Sequence, residues 1–199
     1  MGNEAGARYD EAREERMAMV NWLRNHRIAA GLLVLIRLYL GWKWLDAGWH
    51  KLTADKAFDA TGFLHNAVGK PVLETGTQNA LYPNFVDFLK HFALPNAKLF
   101  NFLIPWGEFL VGLGLILGAL TTAAAFFGLL MNFMFLLAGT VSSNPWLVLF
   151  GTIVLFAGAN AGKFGADYYI LPFLRRLAGR WFHRDRHHPR PMEPQELAN

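Results

Sequence analysis

Cysteine is absent from the 199 residues. That single absence excludes an internal disulfide, a thiol relay, a thiolate metal site and an S-acyl anchor. Charge is scarce too: Asp, Glu, Lys and Arg together make up 17% of the chain, and the net charge of +4 is too small to suggest nucleic acid as a partner. The first 27 residues are charged and hold no apolar core ahead of a small-residue cleavage site, so no removable signal peptide is expected. No glycine-rich loop follows a strand pattern, which removes phosphate cradling. Metal chemistry has no support either. His50, His65 and His91 lack the spacing of a ligand pair on one helix, and His183, His187 and His188 belong to a basic tail.

What the chain has in excess is apolar residues, 53% of the total, gathered into long runs. A membrane helix needs about 20 such residues to cross about 30 Å of hydrocarbon. Four runs qualify, at residues 28–49, 100–120, 123–141 and 146–164. The last three follow one another through Thr121-Thr122 and Ser142-Ser143-Asn144-Pro145, connections so short that neighbours must be antiparallel. The expected fold is all-α, an integral membrane four-helix bundle spanning residues 28–170, between an N-terminal segment (1–27) and a basic tail (171–199).

Lys and Arg in short loops are retained in the cytoplasm. Residues 1–27 and 163–199 carry twelve of them, and the one long connection, 51–98, carries five. Four crossings with that bias put both termini in the cytoplasm and the long loop outside. The loop is too apolar for a plain linker: Phe85, Phe88, Leu89 and Phe92 recur at helical spacing, with Asp87, Lys90 and His91 between them. This pattern predicts a short amphipathic helix on the outer surface or capping the bundle. Asp10, Glu11, Arg13, Glu14, Glu15 and Arg16 predict a solvated helix near the N-terminus, and the Pro-rich last dozen residues predict disorder. The spacings Gly114/Gly118 and Gly158/Gly162 point to close helix packing.

Ionisable residues inside hydrocarbon are costly unless paired or wetted, which makes Arg37, Lys43, Asp46 and Glu108 the informative positions. Counting from residue 28, Arg37 falls near mid-membrane and Lys43 roughly 22 Å from the inner edge; Glu108, entered from outside, falls at roughly 20 Å. Depth leaves both Arg37 and Lys43 open as its partner, and bidentate geometry favours Arg37. On the first helix, Arg37, Leu40, Gly41, Trp44 and Gly48 share one stripe; Lys43, Asp46, Ala47 and His50 share another. Lys43 with Asp46, and Asp46 with His50, are local pairs, equally consistent with side chains snorkelling beside an aromatic belt of Trp42, Trp44 and Trp49. Tyr39, Trp42, Trp44, Trp106, Phe109, Phe133 and Phe135 crowd the same half, a setting that suits a flat, weakly polar ligand such as a quinone headgroup. Taken singly, each of these aromatics is better explained by packing. Asn132 and Asn160 are expected to make interhelical hydrogen bonds.

Arg37-Leu-Tyr-Leu-Gly41, Gly48-Trp-His-Lys-Leu52, Trp106-Gly-Glu-Phe-Leu-Val-Gly-Leu-Gly-Leu-Ile-Leu-Gly118 and Gly158-Ala-Asn-Ala-Gly-Lys-Phe-Gly-Ala-Asp167 together resemble the DoxX/DoxD family. Asp59-Ala-Thr-Gly-Phe-Leu64 is similar to its DoxD-like branch. The resemblance covers about residues 28–170. It implies a multi-pass protein of a prokaryotic plasma membrane associated with redox complexes, of which thiosulfate:quinone oxidoreductase is the best-known type. It also implies that Arg37, Glu108 and Asp167 occupy the family's polar motif positions. No haem or flavin motif accompanies them.

These observations lead to one expectation and two alternatives. The expectation is a redox-complex subunit holding a quinone or quinol with Arg37 and Glu108 as catalytic residues, and Lys43, Trp44, Asp46, His50, Trp106 and Asp167 around the ligand. The expected partners are membrane lipid, quinone, and other subunits or further copies of the chain. The alternatives are a small anion or proton transporter and a non-catalytic scaffold that docks a redox partner.

Overall fold

The computed structural model describes residues 2–183. The expectation of a disordered end, and the tail residues Arg184, Arg186, His187, His188 and Arg190, lie outside the described residues. The order is α1 (Gly2–Asn25), α2 (Arg27–Thr53), α3 (Thr61–Gly69), α4 (Pro83–Phe88), α5 (Ala97–Leu117), α6 (Thr121–Leu137), α7 (Asn144–Ala157) and α8 (Asp167–His183). No strand occurs among the described residues beyond an isolated bridge between Leu73 and Ala80. Three helical stretches are long and apolar enough to cross a membrane: Arg27–Thr53, Ala97–Leu117, and Asn144–Gly162, where α7 tightens into a final turn at Gly158–Gly162. The fourth apolar helix, α6, has 17 residues, about 26 Å at 1.5 Å each.

Helix α2 packs against α5, α5 against α6, α6 against α7, and α7 returns to α2. The central seam between α2 and α5 is made by glycine. A Cβ on Gly41 would lie 2.9 Å from the Ile116 nitrogen and 3.0 Å from the Gly112 oxygen. One on Gly48 would run into the Phe109 backbone, and one on Gly112 into the Leu45 backbone. As the contacts climb α2 from Gly41 to Gly48 they descend α5 from Ile116 to Phe109, so the two helices are antiparallel. Of the expected small residues, Gly114 makes a close approach elsewhere, to Ala124 of α6, where an added Cβ would lie 3.1 Å from the alanine methyl. Gly118 and Gly158 hold positive φ, 64° and 57°, at the ends of α5 and α7, where a left-handed residue stops a helix. Gly162 makes room for the Asp167 carboxylate.

Helices α5, α6 and α7 end short of their expected limits, but the helix ends on either side of the long connection run beyond them. Helix α2 runs to Thr53 rather than ending at Trp49, and α5 begins at Ala97 rather than at Phe100. The charged N-terminal stretch is helical and exposed, as its pattern predicts, and breaks at His26, whose Nδ1 accepts from the Ile28 amide at 3.2 Å. The amphipathic segment of the long connection is α4, extended by a wide turn over Leu89–Ala93 in which the Leu94 amide reaches back to the Leu89 carbonyl. Leu89, Ala93, Leu64 and Ala67 form a small second core against Phe100 and Ile104 of α5 and Ala138 past the end of α6. The connection therefore sits on the helix ends.

If glycine sets the distance between α2 and α5, Gly48→Ala should lower stability by about 1 to 3 kcal/mol, because its methyl has only backbone to displace. Gly31, in the same helix with nothing within 4 Å, supplies the control: Gly31→Ala should be neutral or gain about 0.5 to 1 kcal/mol. Thermal unfolding of both variants in detergent checks this; equal effects would remove the seam from the account.

Candidate functional site

The antiparallel register decides which charges meet. With Gly41 beside Ile116 and Gly48 beside Phe109, the stripe Arg37, Gly41, Trp44, Gly48, Lys51 faces α5, and Arg37 is carried past the end of α5 to Gly118. Glu108 lies about three helical turns away, beside the other end of α2. Arg37 and Glu108 are therefore not a pair. Lys43 does not reach Glu108 either: it is exposed on another face of α2. The partner is Lys51, with Nζ 2.6 Å from Glu108 Oε2. Counting a helix that stops at Trp49 places Lys51 in the loop, although it lies seven residues past Trp44 on the same stripe. That spacing was the available signal.

Around this pair the environment is asymmetric. The Glu108 side chain keeps 4% of its exposure and the Lys51 side chain 29%. Lys51 also donates to the Ala47 carbonyl at 3.3 Å and lies 5.9 Å from the Phe58 ring centre. Gly107 of α5 meets Met131 of α6, and Val111 meets Gly128, so Asn132 is level with the turn that carries Glu108. Asn132 is 1% exposed and its Oδ1 has no hydrogen-bond partner among the described residues. The expected interhelical bond of Asn132 is not made through that oxygen. Asn160, by contrast, donates to the Leu23 and His26 carbonyls and ties the α1–α2 break to the end of α7.

Close by, Asn101 fastens the long connection to α5. Its Oδ1 accepts from the Ala60 amide at 2.7 Å, and its Nδ2 donates to Asp59 at 3.4 Å. The hydroxyl and the amide of Thr61 both donate to Asp59, holding its carboxyl below the usual carboxylate range.

Arg37 is spent on backbone. Its Nη1 donates to the Ala161 carbonyl at 2.9 Å and its Nη2 to that of Phe164 at 3.4 Å, while Nε has no partner. Gly118 and Gly165 leave no room for side chains beside the guanidinium. Asp167 is near enough for its charge to act on Arg37, but its oxygens accept from the Leu120 and Thr121 amides at 2.6 and 2.9 Å. Leu120 has φ 50°, an unfavourable conformation for a branched side chain, and Asp167 fixes it. Two further bonds, Ala166 amide to Leu117 carbonyl and Asp167 amide to Gly118 carbonyl, complete a latch joining α2, the α5–α6 turn and the start of α8.

The other expected site residues do not converge. Asp46 and His50 do pair, 3.3 Å apart and exposed. Trp44 is buried at 4%, its indole against Gly128. Trp106 is 42% exposed and meets the Phe109 ring edge-to-face and the Phe102 ring at a tilt; two positions from Glu108, it points to another side of α5. Apolar space lies along α5 and α6. A cavity of about 660 Å³ runs beside Leu103, Gly107, Val111 and Met131, and joins one of about 230 Å³ walled by Phe63, Phe85, Phe100 and Phe135.

Compared with known families, the chain matches the DoxX family model over residues 32–142, more than half its length. Arg37, Lys51, Glu108 and Asn132 fall inside that span and Asp167 beyond it. No curated protein and no solved structure matches the chain.

Breaking a buried ion pair costs about 3 to 5 kcal/mol; Lys51→Met should fall at or below the lower bound, because 29% of the lysine stays accessible. Lys51→Met with Glu108→Gln should recover at least half of the loss, whereas Arg37→Lys with Glu108→Gln should be additive. Thermal unfolding of the two cycles in detergent is the check, and coupling of Arg37 rather than Lys51 to Glu108 would refute the assignment.

Proposed function

The chain belongs to the DoxX family of membrane proteins, and from that premise we propose that it is a membrane subunit of a redox complex whose Lys51–Glu108 pair receives a quinone or quinol headgroup. In this reading α2, α5, α6 and α7 form a four-helix bundle in a prokaryotic plasma membrane. Both termini are cytoplasmic, following the excess of Lys and Arg in the two ends, and the connection with α3 and α4 lies outside. The 17 residues of α6 then cross with modest thinning of the bilayer.

The observation that carries the proposal is a buried carboxylate whose one direct side-chain partner among the described residues, Lys51, stays partly accessible. A purely structural pair has no need of that opening. Asn132 Oδ1, buried without a partner at the same level, is a further acceptor for a ligand hydroxyl. The polar groups fit a quinone: the ammonium donates to a carbonyl oxygen, and the carboxylate accepts from a hydroxyl and can hold its proton. The apolar groove beside Gly107 and Val111, residues adjoining Glu108 in α5, suits an isoprenoid tail. When bound, a quinone supplies two-electron, two-proton redox chemistry. Arg37 and Asp167 have a different role here, since their hydrogen bonds hold the helix ends.

Titration of purified protein with a short-tail and a long-tail quinone tests this reading. Both should bind saturably, and Glu108→Gln should weaken both about tenfold or more, the loss of one charge-assisted hydrogen bond. Gly107→Leu, which fills the groove, should weaken the long-tail compound selectively. Absence of saturable binding by the native protein, or equal binding by Glu108→Gln, would overturn the proposal.

A further inference from the structure

A second polar site lies at the other end of the molecule, where α1, the Gly158–Gly162 turn and α8 meet. A cavity of about 340 Å³ opens there, and its charged lining is Arg24, Lys163, Arg175 and Asp167. Three cations thus face one carboxylate, and that carboxylate is already engaged by the Leu120 and Thr121 amides. Arg24 is held in place by its Nε, which donates to the Phe156 carbonyl at 3.0 Å. Neither Lys163 nor Arg175 joins an ion pair among the described residues. Positive charge is thus in excess at this cavity.

Two features beside the cavity say what kind of anion it suits. The first is an apolar groove of about 430 Å³ between α6 and α8, lined by Ala123, Phe126, Phe127 and Leu155. It shares Asp167 and Leu171 with the basic cavity, so the two lie side by side along α8. The second is α8 itself. Tyr169, Phe173 and Leu177 recur every four residues and are 76%, 64% and 51% exposed, while Tyr168, Leu171 and Arg175 turn to the cavity side. An exposed apolar stripe backed by basic residues is the signature of a helix lying in the interface of a bilayer.

We infer that this cavity binds the phosphate of an anionic phospholipid, with an acyl chain in the groove between α6 and α8. Basic pockets between membrane helices recognise anionic headgroups through the same combination of charge and adjacent apolar surface. The lipid phosphate accepts from Lys163, Arg175 and the Arg24 guanidinium. The bound lipid then bridges α1, the end of α7 and α8.

The full chain in detergent, titrated with phosphatidylglycerol, phosphatidylcholine or inorganic phosphate and followed by native mass spectrometry and thermal unfolding, tests the site. Phosphatidylglycerol should bind in preference to phosphatidylcholine and raise the unfolding temperature, and inorganic phosphate at the same concentration should not. Lys163→Gln with Arg175→Gln should weaken phosphatidylglycerol by about thirtyfold, the worth of two interfacial cations. Lys163→Arg with Arg175→Lys should retain it. Arg13→Gln with Arg16→Gln removes as much charge from the exposed face of α1 and should leave binding unchanged, which also shows that net charge is not the cause. Equal binding of both lipids, an equal effect of phosphate alone, or full retention in the glutamine double variant would overturn the inference.

Discussion

The seam between α2 and α5 sets the arrangement of everything polar in this molecule. Glycines at 41, 48 and 112 let two backbones approach to a distance that no side chain tolerates, and that contact fixes one antiparallel register. Along α2, Arg37 and Lys51 share the inward stripe but stand fourteen residues apart, about 21 Å. The register therefore sends them to opposite ends of the α2–α5 seam. Each charge then meets different chemistry: Arg37 meets the carbonyls of a tight turn, and Lys51 meets Glu108. An isolated charge in hydrocarbon is costly, so both ends are bound to their partners by the same constraint, with different degrees of access.

The two ends consequently differ in character. At the Arg37 end the hydrogen bonds of the guanidinium and of Asp167 run to backbone, and glycines 118, 162 and 165 are excavated around them. This is an anchoring device that holds a left-handed Leu120 and the start of α8. At the Glu108 end the pair is side chain to side chain and one member is reachable. A reachable ionisable pair among apolar helices is the kind of position at which a functional site is sought first.

Much of this was legible in the sequence. Long apolar runs predict the helices because nothing else shields backbone amides in lipid; Phe85, Phe88, Leu89 and Phe92 predict the amphipathic segment. Glu108 and Arg37 stand out because charge at that depth is rare. Their pairing was not legible, since it depends on a register that apolar periodicity leaves free by several turns and that glycine contacts settle. Lys51 was hidden by a helix limit: an apolar count stops at Trp49, whereas the backbone continues for four residues through His50 and Lys51, whose side chains bond carbonyls one turn back. Asp167 could be noticed through the family motif, but its partners are amides of a turn 46 and 47 residues away, which no local pattern encodes.

Glu108 belongs to Lys51, at 2.6 Å. Infrared difference spectroscopy reads that bond directly: the carboxylate bands assigned to Glu108, by subtracting the spectrum of Glu108→Gln, should shift in Lys51→Met and stay in place in Arg37→Lys. Bands that move with Arg37 and ignore Lys51 would contradict it.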